Sequence, residues 1–323
     1  MSGTQVGEAG ARAQAAVAPP ALITARGLTK AYGSFTAVAG IDFDIPAGES
    51  FGFLGPNGAG KSSTMRMIQC VSPPTSGVLR VFGQDPVADG PRIRARLGVV
   101  PQEDTLDNDL TVRENLLVYA RYFGIGWVAA RARAGALLEF VQLSDKADAR
   151  VQTLSGGMKR RLTIARSLVN SPEVLLLDEP TTGLDPQARH SVWERLFRLK
   201  RDGVTLVLTT HYMDEAEQLC DRLVVLDGGL IVAEGSPREL IDRYSSREVV
   251  ELRFAGEVPA AEAYADLAAR VERVADRVLL YGDDGDTIAA SAARRHPVAA
   301  GVLVRRSGLE DVFLRLTGRT LVD

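Results

Sequence analysis

The chain has 323 residues, 46% of them hydrophobic, enough to bury one large domain and a smaller one. Its net charge of −3, with acids and bases interspersed, argues against a nucleic-acid binder or an acidic tail. Cys70 and Cys220, far apart and without companions, fit a reducing cytoplasm and argue against a disulfide framework or a cysteine-based metal site.

Residues 1–20 are rich in Ala and Gly, and Glu8 and Arg12 interrupt any apolar core of a secretory signal, so they read as a disordered tail. Ala21–Arg26 and Ile41–Ile45 read as half-buried antiparallel strands, the second alternating apolar and acidic residues with period two. Pro46-Ala47-Gly48-Glu49 turns the chain into the apolar strand Ser50–Leu54, which runs into a glycine-rich turn and a helix over Ser63–Ile68. After the Pro73-Pro74 break, Gly77–Gly83 reads as a strand and Leu97–Val100 as a short buried one, ended by Pro101.

From Thr111 to Leu143 apolar residues recur at helical intervals, which predicts an all-helical insertion. Another helix starts at Ser155 and runs to Asn170-Ser171-Pro172. Val174–Leu177 and Val204–Leu208 read as fully buried parallel strands separated by a helix over Pro186–Lys200, which makes the core α/β. Arg222–Leu226 and Leu230–Glu234, joined by Asp227-Gly228-Gly229, predict a hairpin, followed by a short helix over Pro237–Tyr244. Ser245-Ser246-Arg247 marks a boundary. Beyond it, Val249–Phe254, Arg277–Tyr281 and Gly301–Arg305 are strand-like, while Ala261–Val274 and Leu309–Leu316 are helix-like, which predicts a small α+β module. The expected division is therefore a tail over 1–20, a main domain over 21–245 and an accessory module over 246–323. No run approaches the ~18 apolar residues of a spanning helix, so the chain is not expected to cross a membrane itself.

The turn Gly55-Pro56-Asn57-Gly58-Ala59-Gly60-Lys61-Ser62 has the spacing of a phosphate cradle. Glycines let successive backbone N–H groups face one anion, Lys61 can reach the β- and γ-phosphates, and Ser62 offers a hydroxyl to Mg²⁺. The bland alternative is an ordinary glycine turn with Lys61 as a solvated helix-start residue. Its position between an apolar strand and a helix start favours the cradle, and with it ATP and Mg²⁺ as ligands. Leu175-Leu176-Leu177-Asp178-Glu179 supplies the second acidic element, at the C-terminal edge of a buried strand where α/β sheets bind ligands. Asp178 is expected to hold Mg²⁺ and Glu179 to polarise the attacking water as general base. Taken alone, the pair could equally be acids at a helix N-terminus.

Leu154-Ser155-Gly156-Gly157-Met158-Lys159-Arg160-Arg161 opens a helix with a Ser-Gly-Gly turn, a second anion-binding helix end. A simple phosphate-loop enzyme needs only one. Here the sequence resembles the ATP-binding-cassette (ABC) transporter ATPases, whose signature reads Leu-Ser-Gly-Gly-Gln; Met158 stands in place of the Gln and leaves Ser155, Gly156 and Gly157 intact. The resemblance extends from about Leu22 to Tyr244. It implies a P-loop NTPase of ABC type: a RecA-like α/β core, an antiparallel β subdomain and a helical subdomain.

The resemblance also implies roles for single residues. Tyr32 matches the position that stacks on adenine, and the loop from Gly55 to Ser63 binds the phosphates. Gln102 lies in the loop that senses Mg²⁺ and the membrane partner, and so joins Ser62 and Asp178 in the metal set. Thr182-Gly183-Leu184-Asp185 matches the loop that crosses the dimer interface, and His211, after Thr209-Thr210, matches the switch histidine at the γ-phosphate. Singly, Tyr32 could be a strand-end packing residue, Gln102 a surface amide and Asp185 a helix N-cap. Their order carries the inference. His190 and His296 match no motif and read as surface or packing residues. In the family, Ser155, Gly156 and Gly157 of one subunit close over ATP held by the other, so the expected partner is a second copy arranged head to tail. The other implied partner is a separate transmembrane permease subunit, with the chain peripheral on the cytoplasmic face of the membrane; no nucleic acid is expected.

Gly98–Gln102, Leu110–Leu116, Leu154–Arg161 and Leu309–Gly318 read closely like ATPases that serve nodulation-factor (lipo-oligosaccharide) and daunorubicin-resistance exporters; Val249–Ala300 does so much less. An ATPase powering export of drugs, lipids or (lipo)oligosaccharides is therefore expected. The alternatives are an importer ATPase of the same fold, or a non-transport ATPase acting on ribosomes or DNA. The latter would need a long coiled-coil insertion or two cassettes in one chain.

Overall fold

The computed structural model describes residues 21–274, 276–295 and 300–318. The expected tail over 1–20 and His296 lie outside the described residues.

Strands β1 (Ala21–Tyr32) and β2 (Phe35–Pro46) pair antiparallel and are each far longer than their alternation suggests. Register shifts at Gly27 and near Gly40 explain the difference: both glycines have positive φ and break the period-two pattern without ending the strand. β3 (Ser50–Leu54) is buried along its whole length and leads through the glycine turn into α1 (Lys61–Ile68). β4 (Ser76–Val81) returns to the free edge of β1, completing a three-stranded sheet of order β2-β1-β4.

The one-turn helix α2 (Gly90–Arg94), too short for periodicity to reveal, precedes β5 (Leu97–Val100). Next come α3 (Val112–Tyr122), whose Thr111 and Glu114 form a reciprocal capping box, and α4 (Trp127–Phe140). With α5 (Gly156–Ser167) they bury Leu116, Leu138, Val141 and Leu162 in a cluster of their own. The expected helical insertion is thus a separately packed subdomain.

β6 (Val174–Asp178), α6 (Pro186–Arg201), β7 (Thr205–Thr210), α7 (Met213–Leu219), β8 (Arg222–Asp227) and β9 (Leu230–Gly235) complete the core. The six-stranded sheet has the order β5-β6-β7-β3-β8-β9, parallel except for the β8–β9 hairpin. Burial on both faces explains why β6 and β7 read as continuous apolar runs. One face packs Phe51 and Phe53 against Phe43 of the three-stranded sheet, with ring centroids 5.2–6.1 Å apart. The opposite face packs Leu175, Leu177, Leu206 and Leu208 against helices, among them α6 through Val192 and Leu196.

Beyond α8 (Pro237–Tyr244), β10 (Glu248–Arg253), β11 (Arg270–Val274), β12 (Arg277–Gly282) and β13 (Gly301–Arg306) form an antiparallel sheet of order β11-β12-β10-β13, with α9 (Gly285–Arg295) packed on it. The helix expected over Ala261–Val274 is not there. Ala261–Tyr264 is a single 3₁₀ turn, and Arg270–Val274 pairs with β12 in the register Arg270↔Tyr281. The alanine-rich segment favours helix locally, but the open edge of β12 overrides that preference. Finally α10 (Leu309–Thr317) bridges this sheet and the core: Leu314 packs with Val249, Leu279 and Tyr281, while Leu309, Val312 and Phe313 are buried in the cluster that contains α7 and α8 residues. Glu217 of α7 accepts the Leu309 backbone N–H at 2.7 Å.

Candidate nucleotide-binding site

The all-buried strand β3 carries Gly55 to the C-terminal edge of the parallel sheet, and the turn folds back against its neighbours. At two positions only glycine fits. A Cβ on Gly55 would stand 2.3 Å from the Leu226 carbonyl, and one on Gly60 would stand 2.4 Å from the Ala37 carbonyl, with φ of 102°. Gly60 is the N-cap of α1, so the helix dipole and its free N–H groups begin at Lys61. Lys61 is 4% exposed, and its Nζ donates to the carbonyls of Gly55 at 2.7 Å and Pro56 at 3.0 Å. Burial pushes its pKa below the usual amine value, while Glu179 and Asp178 oppose that shift.

Tyr32, Phe35 and Ala37 of the β1–β2 hairpin, Asn57, Gly58, Gly60, Lys61, Ser62 and Ser63 of the glycine turn and α1, and Gln102 and Glu179 together line a cleft of about 190 Å³. Gly55, Pro56 and Ala59 are not among its lining residues; the first two accept from Lys61. Tyr32 stands 45% exposed at the rim.

Behind the cleft, β6 ends at Asp178, whose Oδ1 accepts from Ser62 Oγ at 3.4 Å and closely from Thr209 Oγ1. Glu179 follows with φ of +46°, a left-handed backbone costing about 1–3 kcal/mol for a non-glycine residue unless its surroundings enforce it. Its N–H donates to the Thr209 carbonyl at 3.1 Å. The carboxylate, in a residue 6% exposed, is the meeting point of the site. Oε2 accepts from Gln102 Nε2 and Thr182 Oγ1, both at 3.1 Å; Oε1 lies 3.2 Å from His211 Nδ1 and 3.9 Å from Lys61 Nζ. Residues separated by as many as 150 positions in sequence therefore surround one carboxylate.

Ser155, Gly156 and Gly157 are not part of this cleft. Ser155 is the N-cap of α5, its Oγ accepting from Met158 N at 3.3 Å, and Ser155 and Gly156 are exposed. Asp185 caps α6, accepting from Ala188 N at 2.8 Å, and is also exposed. His190 is exposed, with Nδ1 2.9 Å from the Pro186 carbonyl.

Sequence reasoning missed four contributors. Phe35 lies across the two-residue turn from Tyr32, and that spacing could have flagged it. Thr209 stands two residues before His211, near the end of β7, and that proximity could have flagged it. Thr182 sits in the quoted Thr182–Asp185 motif, without a role assigned there. Arg160 gave no signal, because its partners are backbone carbonyls.

Comparison with known proteins identifies the family and the fold. Residues 38–182 match the ABC transporter family, and residues 258–318 match the C-terminal domain of the nodulation factor export protein NodI. The Nod factor export ATP-binding protein I of Paraburkholderia xenovorans is 49% identical over 306 residues, covering 94% of this chain and 100% of the relative. That of Rhizobium etli is 48% identical, covering 91% and 92%. Among solved structures, cbiO1 from Clostridium perfringens, part of an ABC transporter complex, superposes with a TM-score of 0.65 at 28% identity, over 69% of this chain and 92% of that one. The dimeric post-hydrolysis state of the ATP-binding cassette MJ0796 with ADP and phosphate gives 0.61 at 28%, over 66% and 98%. Near-full-length identity close to one half, together with the cassette fold, shows that the chain belongs to the Nod factor export ATP-binding protein I family, the ATPase subunits of ABC-type exporters.

Proposed function

We propose that Glu179 is the general base for the water that attacks the γ-phosphate, that Lys61 and the N–H groups of the Gly55–Ser63 turn hold the phosphates, and that Tyr32 stacks on adenine. The convergence of Lys61, Gln102, Thr182 and His211 on the Glu179 carboxylate carries this reading. Gln102 and Thr182 hold one oxygen by hydrogen bonds and leave the other beside His211 and Lys61. Lys61 then offsets charge building on the γ-phosphate oxygens, and His211 adds a donor there. Mg²⁺ fits the donors available. Ser62 Oγ and Asp178 Oδ1 converge within 3.4 Å, with Gln102 near, and Mg²⁺ takes one or two protein oxygens beside phosphate oxygens and water. When bound, it would neutralise phosphate charge.

The second proposal concerns the other half of the site. A cleft of about 190 Å³ falls below the ~300 Å³ at which ligand pockets usually begin, and it is open to solvent. We assign the missing wall to Ser155, Gly156 and Gly157 of a second copy, with Asp185 at the same interface, in a head-to-tail homodimer. The dimer in the post-hydrolysis structural relative supports this reading. Introducing Ser155→Arg into the Glu179→Gln chain is expected to abolish ATP-dependent dimerisation, measured by light scattering. A dimer that persists would remove the cross-copy wall.

Export requires a membrane partner, and among the described residues no helix is long and apolar enough to cross a bilayer. We place the permease on a groove of about 640 Å³ between the helical subdomain and the core, lined by Val71, Arg94, Leu97, Tyr119, Tyr122 and Phe123. The chain would thus sit peripherally on the cytoplasmic face of the membrane. Tyr122, 78% exposed, is its rim. Tyr122→Glu should leave ATPase activity of the purified chain within about 2-fold and sharply reduce co-purification with the permease from membranes. Intact co-purification would move the docking surface elsewhere. The relatives' names suggest a lipo-oligosaccharide cargo. We retain 21–245 as the ATPase domain and 246–323 as the accessory module, anchored to it by α10.

A further inference from the structure

Arg160 lies one turn into α5, on the helix whose first residues form the exposed Ser-Gly-Gly end. Its side chain reaches in the opposite direction, into the protein. Nε donates to the Pro180 carbonyl at 2.6 Å, Nη2 to the carbonyls of Asp178 at 3.1 Å and Glu179 at 3.0 Å, and Nη1 closely to the carbonyl of Pro101. One planar guanidinium thus joins the backbone on both sides of Glu179 to the residue that precedes Gln102, and Gln102 in turn donates to the Glu179 carboxylate. Burial pulls its pKa down to about 10, with Glu215 as the largest opposing influence, so it remains a cation at neutral pH.

Such a fork answers a need that the rest of the site leaves open. The left-handed backbone of Glu179 is costly and persists only where neighbours over-determine it. Thr209 holds the Glu179 N–H, but the carbonyl side of the same residue is held by Arg160. A lysine at this position keeps the charge but has its three donors on a single atom and lacks the rigid planar fork that engages four carbonyls at once.

We infer that Arg160 is a positioning residue for hydrolysis: it fixes the Glu179 backbone and the start of the Gln102 loop, within the same copy of the chain, so that the carboxylate faces the attacking water. This rests on Glu179 being the general base. The hydrogen bonds of Arg160 go to Pro101, Asp178, Glu179 and Pro180 and not to the Gly55–Ser62 turn, so nucleotide binding is expected to be spared.

The test uses the purified full-length chain. Arg160→Met should lower kcat at saturating Mg-ATP by about 10²-fold, the usual cost of misplacing a reacting group by roughly an ångström. The Kd for ATP should stay within about 2-fold, which a general loss of fold would not allow. Arg160→Lys keeps the charge and serves as the second variant; it should remain well below wild type, and wild-type kcat in either variant overturns the proposal. So does a parallel loss of ATP binding and kcat in Arg160→Lys. Mixed dimers separate the two ends of α5. With Arg160→Met and Glu179→Gln on one copy and a wild-type partner, the partner's own base is undisturbed and turnover should persist. With the two substitutions on different copies, turnover should fall to the level of Arg160→Met. The reverse order would mean that Arg160 acts through the signature end and would overturn the assignment. Should Glu179→Gln alone retain turnover, the general-base reading fails first; wild-type kcat in Arg160→Met beside an inactive Glu179→Gln removes only the role of Arg160.

Discussion

Glu179→Gln is expected to lower kcat at saturating Mg-ATP by about 10²- to 10⁴-fold, the range for loss of a general base, while ATP binding survives. The substitution is nearly isosteric. The amide oxygen can keep the hydrogen bonds from Gln102 and Thr182, which leaves the NH₂ group facing Lys61 and His211 in place of Oε1. Position is retained and basicity is lost. Removing the negative charge beside Lys61 also removes a competitor for the phosphates, so the ATP-bound closed dimer should accumulate. Phosphate release under multiple-turnover conditions and ATP retention on a filter measure the two effects separately. Hydrolysis at the wild-type rate would sink the assignment of Glu179.

Lys61→Ala should act on binding instead. Nζ is almost fully buried and donates to two carbonyls of its own loop, and Lys61 lines the cleft in which we propose the phosphates to bind. Loss of hydrogen bonds to a charged donor costs about 1.5–3 kcal/mol, or roughly 10- to 150-fold in Kd for ATP. The same change strips Glu179 of its nearest lysine and leaves a buried carboxylate with only neutral donors and His211, so residual turnover should be low as well. Titration with a fluorescent ATP analogue reads the first effect. An unchanged Kd would count against the phosphate-loop assignment.

The legible part of the molecule is the part whose chemistry is written in short spacings. Gly55 to Ser62, Ser155 to Gly157 and Asp178-Glu179 each combine side-chain type with local backbone demand, and the structure places each at the end of a strand or the start of a helix. The parallel strands β6 and β7 were equally plain, since burial on both faces leaves only apolar residues. Three kinds of feature escaped. Strands interrupted by Gly27 and Gly40 looked shorter than they are, because a bulge resets the alternation. Ala261–Val274 looked helical, because helix propensity is local whereas the pairing of Arg270–Val274 with β12 is not. Arg160 was invisible for a third reason: a side chain that recognises backbone carbonyls leaves no complementary residue type in the sequence.

The packing of α10 has a mechanical consequence. Its Leu309 N–H is held by Glu217 of α7, the helix that begins just after His211 and Tyr212. The sheet of the accessory module is thereby tied to the helix that follows His211.

The central claim is that two copies of the chain share each ATP site, and mixing two inactive variants tests it. A Lys61→Ala copy keeps its Ser-Gly-Gly end and a Ser155→Arg copy keeps its phosphate turn, so one of the two sites in a mixed head-to-tail pair is whole. Combining the purified variants in equal amounts should restore ATP hydrolysis well above that of either variant alone, to at most about half of the wild-type rate, since each mixed pair holds one intact site of two. If the mixture stays as inactive as its two components, the shared site is contradicted.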